Sequence, residues 1–183
     1  MLEVIIHGRG GQGAVTLSQL IAIASFYEGK YSQAFPVFGI ERRGAPAAAF
    51  VRISDNPILS RQQIYEADII VILDPTLINL LDIKGTLKKK GALMINSHKS
   101  PEELKKDYNL QGYDICTFDA TSLALQVFKK NIVNTVMFAV FSASTKIIHM
   151  NSAMKSIEER FESSKEMIIL NKKIIGEVFE KLK

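Results

Sequence analysis

The sequence predicts an α/β fold, with three layers (α/β/α) around a mostly parallel but mixed sheet, in a single domain over residues 1–183. Short apolar runs alternate along the chain with stretches of helical periodicity, which is the order of a layered α/β protein. Residues 69–73 are all apolar, which indicates a strand of a parallel sheet covered on both faces. A cluster of glycines joins the first strand to the first helix, as in Rossmann-like sheets. No repeat or Pro/Ser-rich linker divides the chain, so one domain is the economical interpretation.

The apolar runs and the helical stretches can be assigned in order along the chain. The predicted strands are residues 2–6, 32–38, 47–53, 68–73, 92–96 and 113–118. The predicted helices are residues 15–28, which Gly29 ends, and residues 121–129, 135–149 and 164–182. Asp74 before Pro75 predicts a helix start, because the carboxylate can cap the backbone and proline suits the first helical position. The helices after Asn134 are expected to pack on the sheet or to reach a partner.

The composition excludes several classes of protein. Hydrophobic residues make up 47% of the chain and charged residues 23%, as in ordinary globular proteins. No apolar run reaches the roughly 18 to 20 residues of a membrane span, and no signal peptide is visible, so we expect a cytoplasmic protein without membrane contact. Basic residues are dispersed without interleaved aromatic residues, which argues against nucleic-acid binding. The single cysteine, Cys116, is predicted to be a small buried hydrophobe and cannot hold an iron–sulfur cluster alone.

The glycine cluster is the first candidate site. Gly8, Gly10 and Gly13 fit the pattern G-x-G-x-x-G after a strand and before a helix, and Gly11 adds another position without a Cβ atom. Such a turn lets the backbone approach a phosphate at the helix N-terminus. The remaining candidate contacts to this phosphate are the side chains of Arg9, Gln12 and Thr16. The same glycines are also compatible with a tight turn that binds nothing.

A second candidate segment lies between the second and third predicted strands. Glu41, Arg42 and Arg43 stand between two glycines, where a loop at the end of a strand is expected. Five of the six arginines lie in the first third of the chain, and the arginine fork suits carboxylates and phosphates. The segment is therefore an anion clamp, a partner-binding loop or an exposed loop with a surface salt bridge.

Four motifs, in order and spacing, resemble one known family. They are His7-Gly8-Arg9-Gly10-Gly11-Gln12-Gly13-Ala14-Val15-Thr16, Phe38-Gly39-Ile40-Glu41-Arg42-Arg43-Gly44-Ala45-Pro46, Ala49-Phe50-Val51-Arg52-Ile53-Ser54 and Val71-Ile72-Leu73-Asp74-Pro75-Thr76-Leu77. The chain resembles the gamma subunit of 2-oxoacid:ferredoxin oxidoreductases over most of its length, and Asn134 and Asn171 also fall where that family often has asparagine. The second motif is most similar to the pyruvate and 2-ketoisovalerate members.

The resemblance implies a place in a larger enzyme. Such enzymes oxidatively decarboxylate a 2-oxoacid with thiamine diphosphate, iron–sulfur clusters and coenzyme A, and pass the electrons to ferredoxin. It implies alpha, beta and delta partner subunits, with thiamine diphosphate on alpha and beta and the clusters on beta and delta. This chain would then hold no catalytic residue and no metal of its own, and its glycine turn would contact the coenzyme A phosphates or a partner subunit.

Two other interpretations stay open at this point. A nucleotide-binding oxidoreductase acting alone would use the glycine turn for NAD, but no acidic residue ends the second predicted strand to hold a ribose hydroxyl. A purely structural subunit would use both glycine-rich segments only to fit partner surfaces.

Overall fold

The computed structural model describes residues 1–37 and 44–183. A six-stranded sheet forms its centre, in the order β2-β3-β1-β4-β5-β6. The strands are β1 (Leu2–Arg9), β2 (Tyr31–Pro36), β3 (Pro46–Ser54), β4 (Ala67–Ile72), β5 (Leu87–Asn96) and β6 (Asp114–Phe118). β1, β4, β5 and β6 run parallel, whereas β3 is antiparallel to both of its neighbours, β1 and β2. The predicted mixed sheet is thus confirmed.

Helices cover both faces of the sheet. They are α1 (Ala14–Tyr27), α2 (Ile83–Thr86), α3 (Pro101–Tyr108), α4 (Ala120–Phe128), α5 (Asn134–Thr145), α6 (Met150–Arg160) and α7 (Lys165–Lys181), with a 3₁₀ helix at Pro75–Leu80. Residues of α1 and α4 to α7 form one core with alternate strand residues such as Val4 and Ile6. Ile5 and the other alternate set pack against the 3₁₀ helix, α2 and α3. Because both faces are covered, the central strands are apolar at consecutive positions.

The predicted helix over residues 135–149 is wrong in one respect, because the structure has two helices there. Lys146 ends α5 in the left-handed conformation, with φ of 58°, and α6 begins at Met150. The apolar residue Ile148 in the connection is buried in the core. The hydrophobic pattern of the sequence therefore continues through the connection and does not reveal the end of α5. The break turns the chain so that α6 can pack along α1.

The sequence assignment also missed α3, although its signals were present. Ser100 accepts a hydrogen bond from the backbone N–H of Glu103, the Glu103 carboxylate accepts one from the backbone N–H of Ser100, and Pro101 begins the helix. This capping box is a local helix-start pattern that needs no tertiary contact. The helix buries a single apolar side chain, Leu104, so few apolar residues mark it in the sequence.

A buried arginine fastens the amino-terminal half of the sheet. The Arg52 side chain is 2% exposed and donates to the Glu3 carboxylate at 3.0 Å and to the Gln33 side-chain oxygen at 3.2 Å. It also donates to the carbonyl oxygens of Gln62 and Gln63, at 2.8 and 3.3 Å. The Arg52 guanidinium on β3 therefore links β1, β2 and the segment before β4. This arginine of the third sequence motif thus has a structural role.

Among the described residues, no helix is long and apolar enough to cross a membrane.

Candidate functional site

The sheet topology points to one crevice. β1 and β4 are parallel neighbours, yet the chain leaves β1 for α1 on one face and leaves β4 for the 3₁₀ helix on the other. In open α/β sheets, ligands bind where the chain leaves adjacent parallel strands in opposite directions, at their carboxyl ends. The glycine turn after β1 and Asp74 after β4 therefore face each other across the expected binding position.

The glycine turn is held by backbone contacts. The N–H of Gly10 donates to the carbonyl of Ala45 at 2.8 Å, and the N–H of Gly44 donates to the carbonyl of Gly10 at 3.1 Å. Gly11 and Gly13 have φ of +96° and +85°, a region that L-residues rarely adopt. The turn is thus pinned to the start of β3 while its tip, at Gly11, lies exposed to solvent.

Gly13 has a packing role that the sequence could not show. A Cβ atom on Gly13 would lie 2.4 Å from Nδ2 of Asn134, which is the first residue of α5. Asn134 is buried, and its Oδ1 accepts from the N–H of Thr135 at 2.8 Å. The N-termini of α1 and α5 therefore meet at Gly13, and this contact accounts for the glycine without any ligand.

Arg9 spans the crevice. Its Nε donates to Asp74 at 3.0 Å, one terminal nitrogen donates to Thr76 Oγ1 at 2.8 Å, and the other donates to the carbonyl of Gly44 at 3.2 Å. These bonds use three of the five N–H groups of a guanidinium, and the other two have no acceptor among the described residues. The side chain is 33% exposed, which keeps part of its charge accessible at the mouth of the crevice.

Asp74 caps the 3₁₀ helix as predicted and also orders the turn. Its Oδ1 accepts from the N–H of Thr76 at 3.0 Å, and its Oδ2 accepts from Arg9 and, at 3.3 Å, from the side-chain amide of Gln12. Gln12 in turn accepts from the N–H of Arg9 at 2.7 Å. Burial raises the pKa of Asp74, but the hydrogen bonds from Thr76 and Arg9 outweigh this and hold the pKa below its ordinary value.

The N-terminus of α1 presents backbone donors at the same place. No side chain in the described part of the chain caps this helix, whose N-cap residue is Gly13. Thr16 lies in the first turn and is half-buried. A 14-residue helix with an uncapped start offers free N–H groups and a partial positive charge.

The structure therefore brings together most of the site residues predicted from the sequence, which are Gly8, Arg9, Gly10, Gly11, Gln12, Gly13 and Thr16. Glu41, Arg42 and Arg43 lie outside the described residues. The residues that flank this segment, Val37 and Gly44, stand at the same edge of the sheet, because Val37 bonds to Ala48 and Gly44 bonds to Gly10.

Two polar residues near the crevice were missed by the sequence interpretation. His7, on β1 directly before the turn, is desolvated, and this burial lowers its pKa to about 4. Asn96 ends β5 and is buried, donating to the carbonyl of Leu73 at 2.9 Å and accepting from the N–H of Ala120 at 3.0 Å. Asn96 is the polar residue at the end of an apolar strand, and this position in the sequence could have identified it. Its hydrogen bonds link β4, β5 and α4 at the edge of the site.

The remaining singled-out residues lie away from the crevice. Cys116 is half-buried against the core, with its sulfur 3.6 Å from Ser144 Oγ. Asn171 is buried in α7 and donates to the carbonyl of Met167 at 2.7 Å. Within residues 1–37 and 44–183, no three His, Cys, Asp or Glu side chains converge as metal ligands would.

Comparison with known proteins decides the family. Residues 3–181 match the family model described as pyruvate ferredoxin/flavodoxin oxidoreductase. The chain belongs to this family. The resemblance found in the sequence motifs is therefore confirmed.

Curated relatives within the pyruvate ferredoxin/flavodoxin oxidoreductase family cover the chain almost completely. The pyruvate/ketoisovalerate oxidoreductases common subunit gamma of Thermococcus litoralis is 42% identical over 181 residues, which is 99% of this chain and 97% of the relative. The pyruvate synthase subunit PorC of Methanocaldococcus jannaschii is 48% identical over 162 residues, which is 88% of this chain and 87% of the relative.

Two solved structures share the fold of this chain. Pyruvate oxidoreductase subunit PORC of Thermotoga maritima superposes with a TM-score of 0.83 at 37% identity, covering 98% of this chain and 95% of that one. A 2-oxoglutarate:ferredoxin oxidoreductase from Magnetococcus marinus, solved with 2-oxoglutarate, coenzyme A and succinyl-CoA bound, gives 0.76 at 20% identity. That match covers 99% of this chain but 30% of the larger chain, and at this identity it shows the fold alone.

Proposed function

We propose that this chain is the gamma subunit of a cytoplasmic 2-oxoacid:ferredoxin oxidoreductase and that its glycine turn contacts the phosphates of coenzyme A. The complex would convert pyruvate or a related 2-oxoacid to the acyl-CoA and reduce ferredoxin. The names of the relatives support the subunit assignment and favour pyruvate or 2-ketoisovalerate. The partners would be the alpha, beta and delta subunits, which carry thiamine diphosphate and the iron–sulfur clusters.

One arrangement carries the coenzyme A proposal. The uncapped N-terminus of α1, the exposed tip at Gly11 and the Arg9 guanidinium, which has two N–H groups without an acceptor among the described residues, all lie at the carboxyl ends of β1 and β4. No atom of the described residues lies within 4 Å of where a Cβ of Gly11 would stand, so a ligand can approach the backbone there. Helix N-termini with an adjacent arginine suit phosphate oxygens.

Each side chain has a definable task in this arrangement. Asp74 and Gln12 fix the Arg9 fork and the turn, so that Arg9 does not lose conformational freedom when it receives an acceptor. Thr16 stands in the first turn of α1, where its hydroxyl can donate to an anion held by the helix N-terminus. Coenzyme A supplies the thiol that accepts the acyl group, and this chain would hold its phosphate end.

Glu41, Arg42 and Arg43 belong to the same proposal. The segment that contains them joins β2 to β3, and its two ends lie at the crevice edge. We propose that one of the two arginines contacts an anion and that the other contacts a partner subunit. Glu41 is the carboxylate partner of one of them.

Calorimetric titration of the isolated chain tests the phosphate site. Coenzyme A should bind, dephospho-coenzyme A should bind more weakly if the 3′-phosphate is the group held, and NADH should not bind. Arg9→Lys should weaken coenzyme A binding about tenfold, since an ammonium lacks the fork, whereas Arg160→Lys on α6 is the matched control and should change nothing. Absence of coenzyme A binding in the chain, together with an unchanged KM for coenzyme A in the assembled Arg9→Lys enzyme, would refute the site.

A purely structural subunit is the second candidate, and a specific observation favours it. Gly13 is explained by its contact with Asn134, and Arg9 is already paired with Asp74, Thr76 and Gly44. In that case, Arg9→Lys would impair assembly or stability without altering the response to coenzyme A. The stand-alone NAD enzyme has less support, because residues 31–37, from β2 onward, carry no Asp or Glu for a ribose hydroxyl.

A further inference from the structure

Asn134 is a buried polar residue that reaches the turn between β1 and α1. It is the first residue of α5 and is 8% exposed, and its side chain approaches Gly13, the N-cap residue of α1. The nitrogen end leads this approach, since Nδ2 lies 2.4 Å from the Cβ position of Gly13 whereas Cγ lies 3.0 Å from it. The Asn134 amide therefore stands where the side chain of another N-cap residue would begin.

The orientation of this amide is the reverse of what a helix start requires. Oδ1 of Asn134 accepts from the N–H of Thr135 at 2.8 Å, which fixes the other end of the amide as Nδ2. N-cap side chains are acceptors, because the first N–H groups of a helix have no acceptor within the helix. Nδ2 instead adds a donor beside the donors of α1, and it has no acceptor among the described residues.

The start of α5 has the same excess of donors. Val133, the N-cap residue of this 12-residue helix, supplies no side-chain hydrogen bond. The Thr135 hydroxyl is buried and has no hydrogen-bond partner within the described part of the chain. Two helix N-termini, of 14 and 12 residues, thus meet with their partial positive charges side by side. An anion between them removes this unfavourable interaction.

Arg9 approaches the same place from the other face of the sheet. α1 and α5 pack on one face, whereas Arg9 bonds to Thr76 in the 3₁₀ helix on the opposite face. Three groups of donors therefore surround the carboxyl end of β1. They are the Arg9 guanidinium, the first N–H groups of α1 and the Asn134 amide at the start of α5.

We propose that Asn134 and the first turn of α5 complete the phosphate site of α1 and Arg9, and that the group held is a phosphate monoester, the 3′-phosphate of coenzyme A. A phosphate monoester has three terminal oxygens and a charge of about −1.5 to −2 on one phosphorus atom. Each phosphorus of a diphosphate bridge has only two such oxygens and a single charge, and a carboxylate has two oxygens in one plane. Donors from three directions therefore favour the monoester.

The inference rests on the proposed coenzyme A function and names the phosphate that the site recognises. NADH has a diphosphate bridge but no phosphate monoester, so the same geometry gives a reason why NADH should not bind. The donors of Asn134 and α5 are needed for the monoester alone, which makes Asn134 the residue to test.

Asn134→Asp is the variant that separates binding from folding. The substitution keeps the acceptor for the N–H of Thr135 and replaces the Nδ2 donor by a carboxylate oxygen. A carboxylate beside two helix N-termini is favourable, so thermal melts should show an equal or higher melting temperature. The same carboxylate repels a phosphate, so coenzyme A should bind at least about tenfold more weakly. An asparagine with a structural role alone would not show these opposite effects.

Asn151→Asp is the matched control. Asn151 is exposed in the first turn of α6, so the same charge is again placed at a helix start. Glu28, the C-cap residue of α1, accepts from the N–H of His149, which places the start of α6 at the opposite end of α1 from Gly13. This variant should bind coenzyme A like the unaltered chain.

Dephospho-coenzyme A gives a second measurement that needs no variant, because it keeps the diphosphate and lacks the 3′-phosphate. It should bind the unaltered chain at least about tenfold more weakly than coenzyme A, in calorimetric titration and as KM in the assembled complex. Asn134→Asp should change its affinity by less than about threefold, since the group that the asparagine contacts is already missing.

The possible outcomes distinguish the inference from the proposed function. Equal binding of coenzyme A and dephospho-coenzyme A, or normal binding of coenzyme A by Asn134→Asp, overturns the monoester site while the proposed function stands. Loss of the other subunits on co-purification of Asn134→Asp, with an unchanged affinity of the chain for coenzyme A, indicates a partner carboxylate at Asn134 and also overturns it. Absence of coenzyme A binding by the chain, together with an unchanged KM in the assembled Arg9→Lys enzyme, overturns the coenzyme A function and the inference with it.

Discussion

Replacing Gly13 by alanine tests why the turn between β1 and α1 needs glycine. At φ of +85° an L-residue costs about 1–2 kcal/mol. The new Cβ would also lie 2.4 Å from Asn134 Nδ2, and overpacking of this kind costs about 1–3 kcal/mol. We therefore expect Gly13→Ala to lower the free energy of unfolding by about 3 kcal/mol, or the melting temperature by roughly 6–12 °C.

Gly11→Ala is the matched comparison. Gly11 has φ of +96°, but none of the described atoms lies within 4 Å of its Cβ position. This variant should lose only the backbone contribution, about 1–2 kcal/mol. Urea unfolding of the isolated chain, followed by circular dichroism, measures both variants, and unchanged m-values would show that the unfolded state is not the cause.

The reasoning fails if the two alanine variants lose equal stability, since the contact with Asn134 would then contribute nothing. A third variant separates the contributions further. Adding Asn134→Ala to Gly13→Ala should restore part of the lost stability by making room for the Cβ, even though the hydrogen bond to the N–H of Thr135 is removed. No recovery would show that the left-handed backbone is the whole cost.

Four further outcomes are expected. Arg52→Met should cost about 3 kcal/mol in urea unfolding, because it removes the buried donor to Gln33 and to the carbonyls of Gln62 and Gln63, and the nearer of the two cations beside Glu3, which keeps Lys88 at 3.6 Å. The exposed Arg61→Met should cost under about 1 kcal/mol, and an equally small loss for Arg52→Met would contradict the structural role. Burial lowers the pKa of His7 from 6.5 to about 4, so the folded state binds fewer protons than the unfolded state between these pH values. The free energy of unfolding should therefore fall as the pH drops from 6.5 to about 4. His7→Gln should flatten this slope in pH-dependent thermal melts, and an unaltered slope would exclude His7 as the cause. In the assembled complex, Arg42→Ala and Arg43→Ala should have clearly unequal effects on assembly or on the KM for coenzyme A, and parent-like behaviour of both would reduce the segment to a surface connection. The isolated chain should neither reduce a viologen dye with pyruvate nor contain iron; pyruvate-dependent reduction, or a cluster-like absorption that survives Cys116→Ser, would count against a non-catalytic subunit.

Local signals in the sequence were enough for the layered fold and most of its strands. Runs that are apolar at consecutive positions, such as residues 69–73, imply a sheet covered on both faces, and the structure has helices on both faces. Asp74 before Pro75 predicted the helix start that the structure shows, since capping involves neighbouring residues only. The capping box at Ser100 was equally local and was overlooked.

The sequence also located the candidate site, but not the partners of its residues. The glycine pattern and its place after a strand predict the turn, because glycine adopts at little cost the φ values of +96° and +85° seen at Gly11 and Gly13. Arg9 was a candidate for a ligand, yet the structure pairs it with Asp74, a residue 65 positions away along the chain. Such a pairing follows from the adjacency of β1 and β4, which no local pattern encodes.

What the sequence alone determined is therefore the set of elements, the glycine turn and, through four motifs in order, the family. The tertiary structure decided which side chains meet: Gly13 with Asn134, Arg9 with Asp74, and Arg52 with Glu3. It also placed β3 antiparallel between β1 and β2. The physical reason is the range of the interactions, since backbone conformation and capping depend on a few neighbouring residues, whereas strand order and buried charge pairing depend on how distant segments share one core.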